Sequence, residues 1–218
     1  KTLIEQAIRF DVPNVAIAEG SQADEVKAAL PHATVFAGAD AAEQLVEQTP
    51  ATDVAAAAVK VAEANIEALN HALGDIPPDR IRLHLCWGNY EGPHHLDVPL
   101  QDIIEVVLKA RPQAISFEGA NPRHEHEWAV FRDVKLPEGT VIIPGVLDST
   151  TNFIEHPELV ADRIVRYAET VGRENVIAGS DCGYGTFILS RRVDANIAWA
   201  KLQALVEGAK LATSRLFP

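Results

Sequence analysis

Short apolar runs alternate with longer stretches of helical period along most of this chain, and this alternation limits its possible folds more than any other feature. A buried parallel strand reads as a brief apolar or β-branched run, whereas an amphipathic helix places apolar residues three and four positions apart. The regular succession of the two predicts an α/β fold with a parallel sheet. The predicted strands are residues 14–18, 34–37, 81–86, 114–118, 141–146 and 176–180.

Three long helices are predicted between and after these strands. An alanine-rich segment, residues 53–73, has apolar residues at helical spacing and ends at Gly74, before Pro77 and Pro78. A second helix begins at Pro157, which suits a first helical turn, and runs to Val171 before Gly172. The last helix covers residues 194–216.

Composition excludes several classes of function. The chain has 218 residues and a formal net charge of −12, which would repel a phosphate backbone, so nucleic acid is not an expected partner. No apolar run reaches the roughly 20 residues of a membrane helix, and the first residues lack a secretion signal. We therefore expect a cytoplasmic location. With two cysteines in total, a disulfide framework is not expected, and both are predicted to be free thiols.

Four metal-ligand residue types stand at the predicted strand ends, where parallel α/β folds place their active sites. His84 and Cys86 are two positions apart and therefore point to the same face of their strand. Glu118 ends the next strand, and Cys182 follows the last one. One imidazole, two thiolates and a carboxylate suit tetrahedral zinc and suit magnesium or calcium poorly. The alternative is that both cysteines are small buried core residues.

The segments around these residues carry a resemblance. The motifs His84-Leu85-Cys86-Trp87-Gly88-Asn89, Ile115-Ser116-Phe117-Glu118, Pro144-Gly145-Val146-Leu147-Asp148 and Gly179-Ser180-Asp181-Cys182-Gly183 occur in this order. Residues 65–218 thereby resemble the C-terminal barrel of the cobalamin-independent methionine synthase family, especially its shorter single-barrel members.

This resemblance implies a TIM-barrel-like fold and a zinc cofactor held by His84, Cys86, Glu118 and Cys182. It also implies transfer of a methyl or other alkyl group to a small thiol. Glu118 would be the weakest protein ligand, so we expect it to leave the metal when the substrate sulfur arrives, which gives it a catalytic role. Thr150 stands where the full methionine synthases carry a histidine thought to donate a proton. Folate and homocysteine are therefore not assured as substrates, and the shorter relatives include epoxyalkane:coenzyme M transferases.

The beginning of the chain departs from that family. Residues 1–53 resemble part of the nucleotide-binding domain of 1-deoxy-D-xylulose 5-phosphate reductoisomerase, but they carry no glycine-rich phosphate loop. A complete barrel takes roughly 250 residues, so the family-like part accounts for about half of one. We therefore predict an incomplete or chimeric barrel, with a βα segment in residues 1–53 and barrel strands in residues 54–218. An open half-barrel would expose strand edges, which a homodimer can cover.

Further residues near the predicted zinc ligands are candidates for substrate contact. Asp148 is a candidate catalytic residue that orients a ligand or a zinc ligand; the alternative is that it caps a helix or turn. His94 and His95 lie in a polar loop, where histidines are more often solvated than functional, and His124 is more readily placed at a helix start or loop edge than at a second metal site. The candidates for substrate binding are Trp87, Asn89, Asn121 and Tyr184.

The sequence thus predicts zinc-dependent transfer of a methyl or alkyl group to a small thiol. Two alternatives remain open at this point: a zinc-binding protein without turnover, and a metal-free α/β domain that binds a partner.

Overall fold

Parallel strands joined by helices account for the fold, as the alternation of apolar runs predicts. The computed structural model describes residues 2–9, 11–48, 51–185 and 192–218. The chain divides into two compact units, Lys1–Ala58 and Val59–Pro218.

The first unit contains a two-stranded parallel sheet. Its elements in chain order are helix α1 (Thr2–Arg9), strand β1 (Asn14–Ile17), helix α2 (Ala23–Ala29), strand β2 (Thr34–Ala37) and helix α3 (Ala41–Gln48). Strands β1 and β2 pair in register from Asn14 opposite Thr34 to Ile17 opposite Ala37. Alternate residues of β1, Val15 and Ile17, are buried with Ala7, Val26 and Leu30, and this small core holds the strand pair against α1 and α2.

The second unit contains a four-stranded sheet in the order β3-β4-β5-β6, with all neighbouring strands parallel. Its strands are β3 (Arg82–Leu85), β4 (Ala114–Phe117), β5 (Val141–Leu147) and β6 (Gly179–Ser180). Its helices are α5 (Leu100–Val107), α6 (Pro157–Val171) and α7 (Ala195–Leu216), and α4 (Ala51–Ala72) begins in the first unit and continues in the second. In the described residues the strands form an open sheet and not a closed barrel, which confirms the prediction of an α/β fold with an incomplete barrel.

Local sequence explains where the helices of the second unit begin and end. The His156 side chain accepts a hydrogen bond from the backbone N–H of Glu158, Pro157 occupies the first helical position, and Gly172 ends α6 with a φ of 96°. Asp194 caps α7 through the N–H of Asn196. Gly208 brings α7 close to α6, because a Cβ at Gly208 would lie 2.5 Å from Cβ of Val160.

Strand β5 lies at the centre of the apolar core, and six of its seven residues are buried. One cluster, which includes Leu100, Ile104, Ile115, Phe117 and Phe131, packs between α5 and the sheet. The predicted strand at residues 176–180 is shorter than expected. Ile142 and Val176 form an isolated bridge, and the ladder resumes only at Gly179. The register then shifts between Gly145 and Leu147 of β5, so the paired part of β6 is limited to Gly179 and Ser180. None of the helices in the described ranges combines the length and the apolarity that crossing a membrane requires.

Candidate metal centre

Ligand atoms of His84, Cys86 and Cys182 lie within 4.8 Å of one another at the carboxyl ends of the strands. The Sγ atoms of Cys86 and Cys182 are 3.3 Å apart, and Nε2 of His84 lies 3.4 Å from Sγ of Cys182. A disulfide requires sulfur atoms about 2.05 Å apart, so both cysteines are free thiols. The three donors therefore form a compact cluster.

The cluster matches the dimensions of a zinc site. Zn–S bonds of about 2.3 Å and Zn–N bonds of about 2.0–2.1 Å separate tetrahedral ligands by about 3.5–3.8 Å. The observed separations of 3.3 Å and 3.4 Å are close to these values. Thiolates and an imidazole are also the donor types that zinc prefers over magnesium and calcium. The residues present fit zinc, with His84, Cys86 and Cys182 as the ligands that would hold it.

Strand geometry places two of these donors on one face. Leu83 and Leu85 pack against the apolar core, so the alternation of side chains turns His84 and Cys86 to the opposite, exposed face. Ser116 is the register partner of His84 in β4, and its Oγ lies 3.1 Å from Nδ1 of His84. This hydrogen bond orients the imidazole so that Nε2 is left for the cluster.

Glu118 adjoins the cluster but is held by other groups. Its Oε1 accepts a hydrogen bond of 2.9 Å from the N–H of Trp87 and lies 3.8 Å from Sγ of Cys182. Its Oε2 accepts from Nδ2 of Asn121 at 2.8 Å. Glu118 is not one of the three residues whose ligand atoms are mutually within 4.8 Å. Its role as the fourth ligand stays a prediction.

Asp181 connects the loop after β4 to the loop that carries Cys182, and sequence reasoning did not select it. Its carboxylate accepts hydrogen bonds from the backbone N–H groups of Gly119, Ala120 and Asn121, and from Nδ2 of Asn121, at 2.8–2.9 Å. Burial raises the pKa of Asp181 to about 6 in spite of these hydrogen bonds. A buried acceptor with four N–H donors fixes the position of the adjacent Cys182. The position of Asp181 next to Cys182 was the only feature of the sequence that pointed to Asp181.

The protein environment raises the pKa of both thiols. Burial raises the pKa of Cys182 far above its usual range, and the neighbouring Cys86 and Glu118 raise it further. Burial also raises the pKa of Cys86. A nearby divalent cation has the opposite effect, because its charge favours the thiolate.

A cavity of about 290 Å³ opens beside the cluster, and its wall includes Glu118, which adjoins Cys182. Polar groups from four loops line this cavity, together with the glycines of the loop after β3. The main lining residues are Gly88, Asn89, Tyr90, His94, Glu118, Asn121, Arg123, Asp148, Ser149 and Asp181.

Two of the four predicted substrate contacts line this cavity. Asn89 donates from Nδ2 to the carbonyl of Gly183 at 2.7 Å and accepts from Oγ of Ser149 at 2.8 Å, so it joins two loops. Asn121 holds Glu118 and Asp181 in place. Both are in position to contact a ligand, and their substrate role stays a prediction.

The other two predicted contacts are not among the residues that line the cavity. The indole N–H of Trp87 donates to the carbonyl of Val98 at 2.7 Å, and its ring stacks on His124 with centroids 4.2 Å apart. The hydroxyl of Tyr184 is buried and has no hydrogen-bond partner among the described residues.

Asp148 makes the contacts of a turn cap. Its carboxylate accepts hydrogen bonds from the backbone N–H and the hydroxyl of both Thr150 and Thr151. Burial alone would raise the pKa of Asp148, but these hydrogen bonds outweigh it and lower the pKa. Its proposed catalytic role stays a prediction.

The expectation of a solvated His94 is wrong. The side chain of His94 is 11% exposed, because Asp97, Tyr90 and Arg123 surround it in the folded loop. His95, in contrast, is exposed. His124 is buried at the start of the 3₁₀ helix Glu125–Arg132, where it bonds Glu127 and Asp97.

The chain is similar to known proteins in sequence and in fold. No protein-family profile matches the chain. The sequence is 28% identical over 176 residues to 2-hydroxypropyl-CoM lyase from Xanthobacter autotrophicus, an alignment that covers 69% of this chain and 45% of the relative. The chain thus matches less than half the length of this curated relative.

The fold is similar to that of a B12-independent methionine synthase from Shewanella sp. W3-18-1, solved in complex with selenomethionine. The TM-score is 0.56 at 17% identity, and the match covers 98% of this chain and 67% of that structure. The two likenesses support the broad relationship that the sequence motifs indicate. They do not single out the methionine synthase C-terminal domain, and the resemblance of residues 1–53 to a reductoisomerase stays a prediction.

Proposed function

We propose that the protein is a zinc-dependent transferase that forms a carbon–sulfur bond between a small thiol and an alkyl group. The observation that carries the proposal is the His84, Cys86 and Cys182 cluster beside a polar cavity, in which Sγ of Cys182 lies 3.3–3.4 Å from the donor atoms of the other two residues. When bound there, zinc would favour the deprotonated form of a substrate thiol while leaving it nucleophilic.

The surrounding residues would bind and orient the substrate. Glu118 lines the cavity and also contacts Cys182, so a substrate sulfur entering from the cavity would meet Glu118 first. Asn89 and Asn121 present amide groups at the same wall and would orient a polar substrate group. The similarity to 2-hydroxypropyl-CoM lyase supports chemistry at a thioether carbon–sulfur bond.

The cavity favours a small alkyl donor. A volume of about 290 Å³ lies at the lower end of the roughly 300–1,000 Å³ of typical ligand sites. An epoxide or a comparable small electrophile would fit beside a thiol of similar size.

A zinc-binding protein without turnover is the second candidate. It is favoured by the open sheet, since the described strands of the second unit do not close into a barrel. We further propose that the segment 1–53 is a βα unit of separate ancestry, which would make the chain chimeric.

One experiment separates these candidates. Purified protein is analysed for zinc and then assayed for alkylation of 2-mercaptoethanesulfonate and homocysteine by epoxypropane, with Cys182→Ser as the inactive control. About one zinc per chain and a product lost in the variant support the transferase. Zinc without product from either thiol would favour the non-catalytic alternative, and well-folded protein without zinc affinity would reject both.

A further inference from the structure

His94 occupies an unusual place for a loop histidine. It lines the cavity beside the metal-ligand cluster, and both of its ring nitrogens face acceptors. Nδ1 lies 2.8 Å from Oδ2 of Asp97, and Nε2 lies 3.1 Å from the carbonyl oxygen of Tyr90. When Asp97 is ionised, the two hydrogen bonds can form at the same time only if both ring nitrogens of His94 carry a hydrogen.

A buried chain of hydrogen bonds holds this arrangement. Oδ2 of Asp97 also lies 3.1 Å from Nε2 of His124, whose Nδ1 lies 2.7 Å from Oε2 of Glu127. Oε1 of Glu127 accepts from the backbone N–H of Leu100 at 2.7 Å. This series of hydrogen bonds fixes Asp97 as the acceptor for Nδ1 of His94. The imidazole ring therefore cannot turn without breaking the hydrogen bond to Asp97.

The His94 ring is also near the thiols. The N–H of Gly88 donates to Sγ of Cys86 at 3.3 Å, and a Cβ placed on Gly88 would lie 3.6 Å from Cε1 of His94. Gly88 therefore lies between the His94 ring and the metal-ligand cluster. A substrate whose sulfur lies at the cluster would extend along this wall of the cavity.

Three other polar side chains of the cavity are already engaged in hydrogen bonds with neighbouring groups. The carboxylates of Asp148 and Asp181 accept hydrogen bonds from four donors each. Nε of Arg123 donates to the carbonyl of His94 at 2.5 Å, and a guanidinium group is in general a poor proton donor to a substrate. Imidazole is the group that transfers protons most readily near neutral pH.

We propose that His94 is the general acid of this site, delivering the proton from Nε2 to the heteroatom that leaves the alkyl carbon. This inference rests on the proposed alkyl transfer. Nε2 is the donating atom because it is held by one carbonyl at 3.1 Å, whereas Asp97 retains the hydrogen on Nδ1 at 2.8 Å.

The step balances for an epoxide. The thiolate sulfur of the substrate attacks a ring carbon, the C–S bond forms as the C–O bond breaks, and the electron pair of the C–O bond goes to oxygen. His94 gives its Nε2 proton to that oxygen, which produces the hydroxyalkyl thioether. The neutral imidazole then takes a proton from solvent, which replaces the one that the thiol released on deprotonation.

The test compares two alkyl donors in the zinc-loaded full chain with 2-mercaptoethanesulfonate as the thiol. Epoxypropane needs a proton on its leaving oxygen, whereas iodomethane releases iodide, which needs none. The variants are His94→Gln and His95→Gln, the second being a matched control on an exposed histidine outside the cavity lining. We expect His94→Gln to lower kcat with epoxypropane by about 10²–10⁴-fold and to stay within about threefold of wild type with iodomethane. Zinc content, measured by elemental analysis, should not change.

A second variant covers the case in which glutamine disturbs the loop. His94→Ala removes the ring, and added imidazole is expected to restore turnover of epoxypropane while leaving turnover of iodomethane unchanged.

Each other outcome contradicts the assignment. Equal losses with both donors, without rescue by imidazole, would make His94 structural. An unchanged rate with epoxypropane, or a wild type that uses iodomethane alone, would overturn the role of His94 and leave alkyl transfer standing. A zinc-loaded wild type that turns over neither donor would reject the proposed function itself, and the role of His94 with it.

Discussion

The sulfur of Cys86 lies 3.3 Å from the sulfur of Cys182, although 96 residues separate them in the chain. Strand β3 delivers the first thiol and the loop after β6 delivers the second, from opposite edges of the four-stranded sheet. The consequence is a pair of adjacent free thiols that a divalent cation can join.

Thiol reactivity should depend on the metal and on the fold. Because burial strongly raises the pKa of Cys182, this thiol in metal-free folded protein at pH 7 should react with iodoacetamide at least about tenfold more slowly than in protein unfolded with urea. The exposed Cys86 should differ less between the two states. The measurement is the rate of carbamidomethylation at each cysteine by mass spectrometry. Equal rates in folded and unfolded protein would contradict the burial argument.

Asp181 should be essential to the shape of the site. Asp181→Ala leaves the N–H groups of Gly119, Ala120 and Asn121 without their acceptor in a buried place, so we expect a loss of about 3 kcal/mol or more in the free energy of unfolding. Urea denaturation measures this loss. Asp133→Ala is the matched control, because Asp133 is exposed and should change stability by less than about 0.5 kcal/mol. Similar values for the two variants would refute the prediction.

Stability should fall as pH rises because of His124. Burial by itself would lower the pKa of His124, but the hydrogen bond and charge of Glu127, together with the hydrogen bond to Asp97, raise it. A histidine whose folded-state pKa lies above its unfolded value of about 6.5 stabilises the folded protein when it is protonated. This stabilisation is fully present below the unfolded pKa and is lost as pH rises through the folded-state pKa. We therefore expect wild type to lose stability as pH rises above about 6.5, and His124→Gln to lose less of it.

The measurement is the free energy of unfolding in urea at several pH values. His126→Gln is the matched control, since His126 is exposed on the same 3₁₀ turn. Parallel pH profiles for wild type and His124→Gln would show that His124 does not carry this dependence.

Gly145 should tolerate no side chain. A Cβ at this position of β5 would lie 2.7 Å from Cα and 2.8 Å from N of Asp181, and a backbone cannot yield as a flexible side chain does. We expect Gly145→Ala to destabilise the protein by about 3 kcal/mol or more and to lower its zinc content. Gly74→Ala serves as the control, because its Cβ would meet only the carbonyl of His71, at 3.4 Å. Wild-type stability and zinc content in Gly145→Ala would contradict the packing argument.

Much of the fold follows from local sequence. The strands at residues 14–18, 34–37 and 114–118 and the helix from Pro157 to Val171 lie within a residue of their predicted positions. Periodicity and capping residues act over a few positions, so they can be read without knowing the rest of the molecule. The short β6 was harder to predict, because its length depends on which residues pair with β5, and the sequence of residues 176–180 does not contain that pairing.

The candidate site also depends partly on local sequence and partly on tertiary contacts. The sequence by itself determined that His84 and Cys86 share a face, because strand alternation sets it, and that Glu118 and Cys182 stand at strand ends. Only the tertiary structure decided that Cys182 meets the other two donors, that Asp181 receives four N–H groups, and that His94 is enclosed and not solvated. Those contacts join residues from different strands and loops, and their distances depend on how the whole sheet twists and how the loops fold over it, which no local pattern encodes.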